Sequence, residues 1–380
     1  MTATSSRRPR VLVAPDKFKG TLDAAGVAAA VRQGIVRVVP DADVSCLPVA
    51  DGGDGTLAAA VAAGFEPVPV EVAGPTGGPV LTAFARRGTV AVIEMADACG
   101  LARLPGGVPA PLTASSRGLG DVLVAALDAG CRELVVGIGG SASTDGGAGM
   151  LSALGARALG AGGAPLAEGG GALADVRSLD LSGLHPAVAE ASIVVACDVD
   201  NPLTGSTGAA RVYGPQKGAD TADVVLLDEA LGRWADVVAR TTDADRRDVP
   251  GGGAAGGVGF AAVAVLDAEL RPGIELMLDL LRFDEVVAGG DLVVTGEGSL
   301  DAQSLHGKAP VGVAARARQR GIPVVAVCGR RLLTDEQLQG AGIGGAYALL
   351  DLEPDVEVCL RSPGPLLARL GEQIAYDRLV

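Results

Sequence analysis

Eight carboxylates stand in short polar turns between apolar runs: Asp16, Asp51, Asp54, Asp145, Asp198, Asp200, Glu297 and Asp301. Lys17, Lys19, Lys217, Lys308 and Arg117 lie in similar glycine-containing stretches. Carboxylates can hold Mg²⁺ or take a proton from a hydroxyl, and cations neutralise phosphate. Together they are the parts of phosphoryl transfer. The lysines are informative because the chain avoids them: of 31 basic residues only Lys17, Lys19, Lys217 and Lys308 are Lys. An ammonium is a compact point charge that reaches phosphate where an Arg fork does not fit. Any one acidic turn could be a solvated loop or a helix cap; five at strand ends beside four lysines point to a site.

The densest stretch is 131–153, CRELVVGIGGSASTDGGAGMLSA. A short apolar run at 134–138 reads as a buried strand. Gly137, Gly139, Gly140, Gly146, Gly147 and Gly149 follow, interleaved with Ser141, Ser143, Thr144 and Asp145, and helical spacing resumes over 149–158. Strand, glycine loop and helix aim backbone N–H groups at an anion, while the hydroxyls and Asp145 could hold a metal or a polar ligand. An ordinary helix-capping turn would need fewer glycines.

Other chemistries are poorly supported. Lys308 is followed by Ala309 and position 302 is Ala302, so there is no G-x-x-x-x-G-K-[ST] loop, and no H-R-D motif occurs. Gly251, Gly253 and Gly256 spell G-x-G-x-x-G, but no strand precedes them. The histidines are His185 and His306; His306 could be a ligand, a general acid or a hydrogen-bonded structural residue. The six cysteines are scattered without a C-x-x-C pair and read as reduced core thiols. A net charge of −14 argues against nucleic acid and anionic membranes as partners, since both need a basic face. No apolar segment of signal or membrane-spanning length occurs, so a soluble, cytoplasmic protein is expected.

The elements that must position these residues repeat one pattern. Strands at 11–14 and 44–49, each followed by an acidic loop and a helix (22–39 and 57–63), imply a parallel sheet with ligands beyond its carboxyl ends. Short alternating runs at 68–72, 80–84 and 90–95 suggest antiparallel or mixed strands of another domain. A strand at 193–196 leads into Asp198 and Asp200, and a helix over 223–239 carries Trp234 as a packing residue. Strands at 292–295 and 323–327 flank a helix at 311–320. The α/β chain is therefore read as two domains. Residues 1–65 and 290–380 form a discontinuous, flavodoxin- or Rossmann-like parallel-sheet domain, and 66–289 an inserted domain with a mixed sheet.

Eight segments, in order, resemble the bacterial type I glycerate kinase family: APDKFKGTL at 14–22, ADGGDGT at 50–56, SSRGLGDV at 115–122, GIGGSASTDGGAGML at 137–151, CDVDNPLTG at 197–205, GPQKGA at 214–219, GGGAAGGVG at 251–259 and DLVVTGEGSLDAQSLHGKAP at 291–310. The resemblance implies ATP-dependent phosphorylation of D-glycerate, usually to 2-phosphoglycerate, with Mg²⁺, and a site in the cleft between the two domains. It further implies Asp198 as base or Mg²⁺ ligand supported by Asp200 and Asn201, with Asp16 and Lys19 facing the same cleft. Glu297, Asp301 and Lys308 would hold metal and phosphate, with Asp200 in the metal set. Ser115, Ser116 and Arg117 suit the glycerate carboxylate. Gly139, Gly140, Ser141, Asp145, Asp51 and Lys217 would bind substrate or phosphate. Lys17, Thr144 and Ser299 depart from the commoner pattern, so Lys17 could be incidental and no phosphate contact carries over to position 299. Kinases of hydroxypyruvate or tartronate, a 3-phosphoglycerate-forming enzyme and a non-catalytic glycerate or nucleotide sensor are the alternatives. Monomer and homodimer both remain open.

Overall fold

A computed structural model describes residues 7–305 and 307–380. It divides into two compact units, Met1–Asp51 with Ala58–Ala63 and Ile274–Val380, and Gly52–Leu57 with Gly64–Gly273. In chain order the strands β1 (Arg10–Pro15) and β2 (Asp43–Cys46) open the first unit. The second holds β3 (Glu66–Ala73), β4 (Pro79–Arg87), β5 (Val90–Glu94), β6 (Glu133–Gly137), β7 (Arg157–Leu159), β8 (Ser178–Asp180), β9 (Ser192–Ala196) and β10 (Glu269–Arg271). The chain returns to the first unit with β11 (Leu292–Leu300), β12 (Val324–Arg331) and β13 (Ala346–Ala348).

The first unit is an all-parallel sheet in the order β13-β12-β11-β1-β2. Counted within that sheet this is the flavodoxin-like order, whose winding reverses between β1 and β11. Its three central strands, β1, β11 and β12, carry buried runs of Val, Leu and Ala because both faces are covered, whereas the edge strand β2 is mostly exposed. On one face Ala24–Val38, capped by Asp23 accepting the Gly26 amide at 2.7 Å, lies against Pro363–Arg378. That crossing is close because both helices offer glycine: a Cβ at Gly34 would lie 1.9 Å from the Ala368 carbonyl, and one at Gly371 2.3 Å from that of Val31.

β11 runs on to Leu300, past the end at 295 expected from the apolar run. Gly296 on β11 and Gly329 on β12 let the backbones close up; a Cβ at 296 would meet the Val327 carbonyl at 2.3 Å, and one at Gly329 the Gly298 carbonyl at 2.6 Å. Glu297 is therefore a strand residue, held more rigidly than a loop would hold it.

The second unit is a mixed sheet, β10-β9-β6-β5-β4-β3, parallel from β10 to β5 and antiparallel from β5 to β3. The antiparallel meander is the alternating stretch read at 68–95. The helix expected over 149–158 spans only Ala148–Ala153: Gly155, at φ +100°, turns the chain, and 157–159 becomes β7, paired with β8. Thr221–Thr242 begins with a capping box in which Asp220 and Asp223 satisfy each other's backbone. Trp234 is fully buried on that helix and does more than pack, since its Nε1 donates to the Gly146 carbonyl at 2.9 Å. Four cysteines are buried as expected, whereas Cys46 is exposed and Cys197 half-buried. No helix among the described residues is long and apolar enough to cross a membrane.

Candidate active site

Sheets of the first unit's type bind ligands beyond the carboxyl ends of their strands, where the winding reverses. β1 delivers Asp16 to that point, its amide donating to the Gly296 carbonyl at 2.8 Å. The Asp16 carboxylate accepts the Lys17 amide at 2.6 Å. Burial first, then the charges of Asp51 and Glu297, push its carboxyl up to about 7, against the amide and ammonium of Lys17. Lys17 thus acts on the acidic group beside it.

On the neighbouring strand Glu297 is 7% exposed. Its Oε2 lies 3.6 Å from Lys308 Nζ, while Oε1 is buried with no hydrogen-bond partner among the described residues. Burial raises its carboxyl above the ordinary value, and Ser304 and Lys308 oppose the rise. Lys308 stands at the N-cap of Ala309–Arg318. Asp301 shapes the turn between them: it accepts the Gln303 amide at 2.9 Å and the Ser299 hydroxyl at 3.3 Å, and its own amide donates to Ser304 Oγ at 3.0 Å. Ser299 Oγ also accepts from Arg330 Nε of β12 at 2.9 Å. Lys19 is exposed, and His306 lies outside the described residues.

The second unit presents its parallel strands β5, β6 and β9 in the same manner. Asp198 and Asp200, just beyond β9, are exposed; Asp198 Oδ1 accepts the Gly273 amide at 2.8 Å. Asn201 is committed to structure, donating to the Thr207 carbonyl at 2.8 Å and accepting from the Tyr213 hydroxyl at 2.6 Å.

Beyond β6 the glycine loop splits into two parts. Gly139 and Gly140 are accessible, whereas residues 141–147 are buried. Asp145, fully buried, accepts from the Ser116 amide and hydroxyl, both at 2.8 Å, and from the Gly147 and Gly149 amides, both at 3.2 Å. Burial raises its carboxyl, and those four donors hold it down. Lys217, 2% exposed, donates to Ser141 Oγ at 2.8 Å and to the Ser143 carbonyl. Desolvation pulls its ammonium down to about 8, against Asp145 and Cys99. Ser143 Oγ and Thr144 Oγ1 are buried without partners among the described residues.

Ser115 and Ser116 are buried in this network. Arg117 is half-exposed, with its guanidinium 3.2 Å from Glu168 and 3.9 Å from Asp121. The two serines and the arginine thus face different surroundings.

The glycines at 251–259 also have a place. A Cβ at Gly256 (φ +71°) would sit 2.2 Å from the Ser143 carbonyl and one at Gly257 (φ +95°) 2.7 Å from Gly146 Cα. The Gly146 amide donates to the Gly256 carbonyl at 2.9 Å. This stretch is a bed on which the 143–146 segment lies, and Ala255, at φ +53°, carries the strain of its left-handed turn.

Sequence reasoning missed Glu94, the last residue of β5. It is buried and accepts the Gly55 amide at 3.1 Å and the Leu57 amide at 2.9 Å. Burial, Asp97 and Asp54 push its carboxyl up to about 7 against those amide bonds. The available signal was a lone carboxylate closing an apolar strand.

Known proteins resemble this chain over almost its whole length. The family model described as the glycerate kinase family matches residues 11–378. The Glycerate 2-kinase of Escherichia coli strain K12 is 42% identical over 372 residues, covering 96% of this chain and 97% of that protein. A Glycerate kinase of Bacillus subtilis strain 168 is 41% identical, with 96% and 97% covered. The crystal structure assigned as glycerate kinase 2 from Salmonella typhimurium LT2 matches with a TM-score of 0.86 and 42% identity over 98% of each chain. Carrying such likeness from end to end, the chain belongs to the glycerate kinase family.

Proposed function

We propose that this protein is a kinase that transfers the γ-phosphoryl group of ATP to the 2-hydroxyl of D-glycerate, releasing ADP and 2-phosphoglycerate. The observation that carries the reading is the charged set at the ends of β1 and β11. Asp16 is poised near neutrality beside Asp51, and Glu297 is paired with Lys308. This set lies in a chain 42% identical over 96% of its length to a Glycerate 2-kinase.

Mg²⁺ fits the residues present. Glu297 Oε1 is a buried oxygen with no hydrogen-bond partner among the described residues, and Asp301 lies close enough to raise the Glu297 carboxyl. No group of three or more His, Cys, Asp or Glu among the described residues is arranged to hold a metal. That suits an ion that takes one or two carboxylates and completes its shell with phosphate and water. When bound, Mg²⁺ neutralises charge on the phosphate oxygens.

The chain's own groups do the rest. Lys308 neutralises charge that develops on the transferring phosphoryl group. The accessible Gly139 and Gly140 take phosphate or substrate through their backbone amides, and the half-exposed Arg117, whose own amide donates to Ser115 Oγ at 3.1 Å, receives the glycerate carboxylate. Asp198 takes the hydroxyl proton. A second assignment for that step is favoured by a specific observation: Asp16, with its carboxyl near 7, is set at the pH where a general base works best.

The test is ³¹P NMR of purified protein with ATP, Mg²⁺ and D-glycerate. Growth of a 2-phosphoglycerate signal as ATP falls supports the reading. A 3-phosphoglycerate signal keeps the kinase and overturns the acceptor hydroxyl, and absence of turnover overturns the activity.

A further inference from the structure

The segment 52–57 belongs to the second unit although its neighbours Asp51 and Ala58 belong to the first. It is fitted closely to the carboxyl ends of the second unit's strands. A Cβ at Gly52 (φ +85°) would lie 2.3 Å from that of Ala196, the last residue of β9. A Cβ at Gly137, the last residue of β6, would lie 2.5 Å from the Gly52 carbonyl, and one at Gly139 2.8 Å from Gly53 Cα. Three glycines therefore permit an approach that any side chain would forbid.

Approach alone does not fix the turn's orientation; hydrogen bonds do. Thr56, fully buried, closes it by donating from Oγ1 to the Gly53 carbonyl at 2.6 Å. The Gly55 and Leu57 amides point away from that closure and into the protein. Both carboxylate oxygens of Glu94 lie within reach of the Gly55 amide (3.1 and 3.2 Å), and Oε2 also takes the Leu57 amide at 2.9 Å. An ordinary helix cap accepts such amides from a residue two or three positions earlier. Here the acceptor comes from β5, 37 and 39 residues away, and is 4% exposed. When Glu94 is ionised these bonds are charge-assisted, and in a buried setting such bonds are stronger and more directional than neutral ones. The one carboxylate of the turn itself, Asp54, stays exposed and near enough to bear on Glu94 electrostatically.

We propose that Glu94 is a positioning residue for the kinase reaction: by clamping the Gly55 and Leu57 amides it fixes the 52–57 turn and, through it, the placement of Asp54 toward glycerate. The proposal rests on the glycerate kinase reading above. A purely structural clamp would weaken the whole unit and both substrates alike. A positioning clamp acts on one substrate and through one residue.

The experiment compares wild type, Glu94→Gln, Asp54→Asn and the double variant in steady-state kinase assays with glycerate and ATP varied in turn. Thermal melts and amide hydrogen exchange accompany them. Glu94→Gln keeps the shape and removes the charge. We expect kcat/KM for glycerate to fall at least about tenfold with KM for ATP within about threefold, and the Gly55 and Leu57 amides to exchange faster. Asp54→Asn is to give a loss of similar kind, and the double variant no more than the larger single loss, because the two act as a unit. Should Glu94→Gln fail to fold, Glu94→Asp, which keeps the charge but withdraws it by one methylene, is read on the same scale. A glycerate kcat/KM within threefold of wild type, equal losses toward both substrates, or losses that multiply in the double variant overturns the positioning role while leaving the kinase intact. A wild-type chain that does not phosphorylate glycerate overturns the kinase reading, and this proposal with it.

Discussion

Two glycine-rich polar segments look alike in sequence and differ in structure. Residues 137–149 and 296–308 each follow an apolar strand, and each carries glycines, hydroxyls and acids ahead of a helix. In the first, the charged groups are consumed. Asp145 has four internal donors, and Lys217 is spent on Ser141 and Ser143. In the second, Glu297 keeps one oxygen without a partner among the described residues, and its cation, Lys308, is about a third exposed at 3.6 Å. A glycine there serves strand packing instead of loop freedom. Polar residues among glycines therefore mark either a scaffold or a site, and what separates the two here is whether the charged groups are already spent on internal partners, since Ser143 Oγ and Thr144 Oγ1 of the first segment are buried without partners among the described residues as well.

The sharpest way to break this contrast is to remove the hub of the buried segment. Asp145→Ala leaves the Ser116 amide and hydroxyl and the Gly147 and Gly149 amides without their acceptor in a buried setting. At roughly 1–3 kcal/mol for each buried donor left unpaired, the loss should exceed about 4 kcal/mol, enough to unfold the second unit or cut soluble yield severely. Chemical denaturation reads it; a midpoint close to wild type would mean that the segment can rearrange and is not a scaffold. The exposed segment should respond in the opposite way. Lys308→Ala should lower kcat by roughly 10²–10³-fold through lost charge stabilisation while the melting temperature hardly moves, because a partly exposed pair contributes little to folding. A fall of less than about threefold with KM intact would remove Lys308 from the chemistry.

Why the two segments could not be told apart beforehand is physical. Apolar runs, Asp- and Gly-bearing turns and helical spacing place each strand and the loop after it, so the parallel sheet and the meander at 66–94 are legible. What the chain does with a polar group depends on tertiary approach. Gly256 and Gly257 lie more than a hundred residues from Ser143 and Gly146, and only their apposition buries the 143–146 backbone. In the same way β11 outruns its apolar stretch because glycines on two strands face each other. Glu94 was passed over because a single carboxylate closing a hydrophobic strand carries no spacing signal. Its partners, Gly55 and Leu57, offer only backbone.

A smaller effect, on pH, sharpens the exposed side. Folding raises the Asp16 carboxyl from 3.8 to about 7, so the fold favours its protonated form. The stability this contributes is fully present below about 4 and is lost as pH rises toward and through 7. Asp16→Asn, uncharged at every pH, should therefore melt higher than wild type at pH 8 and show no such gain near pH 4. If Asp16 is the base, wild-type kcat/KM climbs with pH through about 7, and the variant loses both most of its activity and that limb. An Asp16→Asn protein with full activity and no pH-dependent gain would show that the acidic cluster carries no functional strain.

The smallest effect returns to the scaffold and tests whether its bonds matter one at a time. Trp234→Phe keeps most of a fully buried aromatic but withdraws the donor that the Gly146 carbonyl receives at 2.9 Å. That glycine sits at φ +61°, and a Cβ there would strike Trp234 Cδ1 at 2.5 Å, so indole and loop are matched in shape as well as in bonding. The carbonyl is left unsatisfied and a space the size of the missing ring atoms opens, which together cost about 1–3 kcal/mol. For a unit of this size that is a fall of several degrees in melting temperature. KM for glycerate and for ATP should stay near wild type, because the accessible residues before the helix in that loop are Gly139 and Gly140, whereas Trp234 is bonded to the buried Gly146. If instead KM for either substrate rises tenfold with little change in melting, the buried half of the loop is part of the ligand surface, and the division between scaffold and site dissolves.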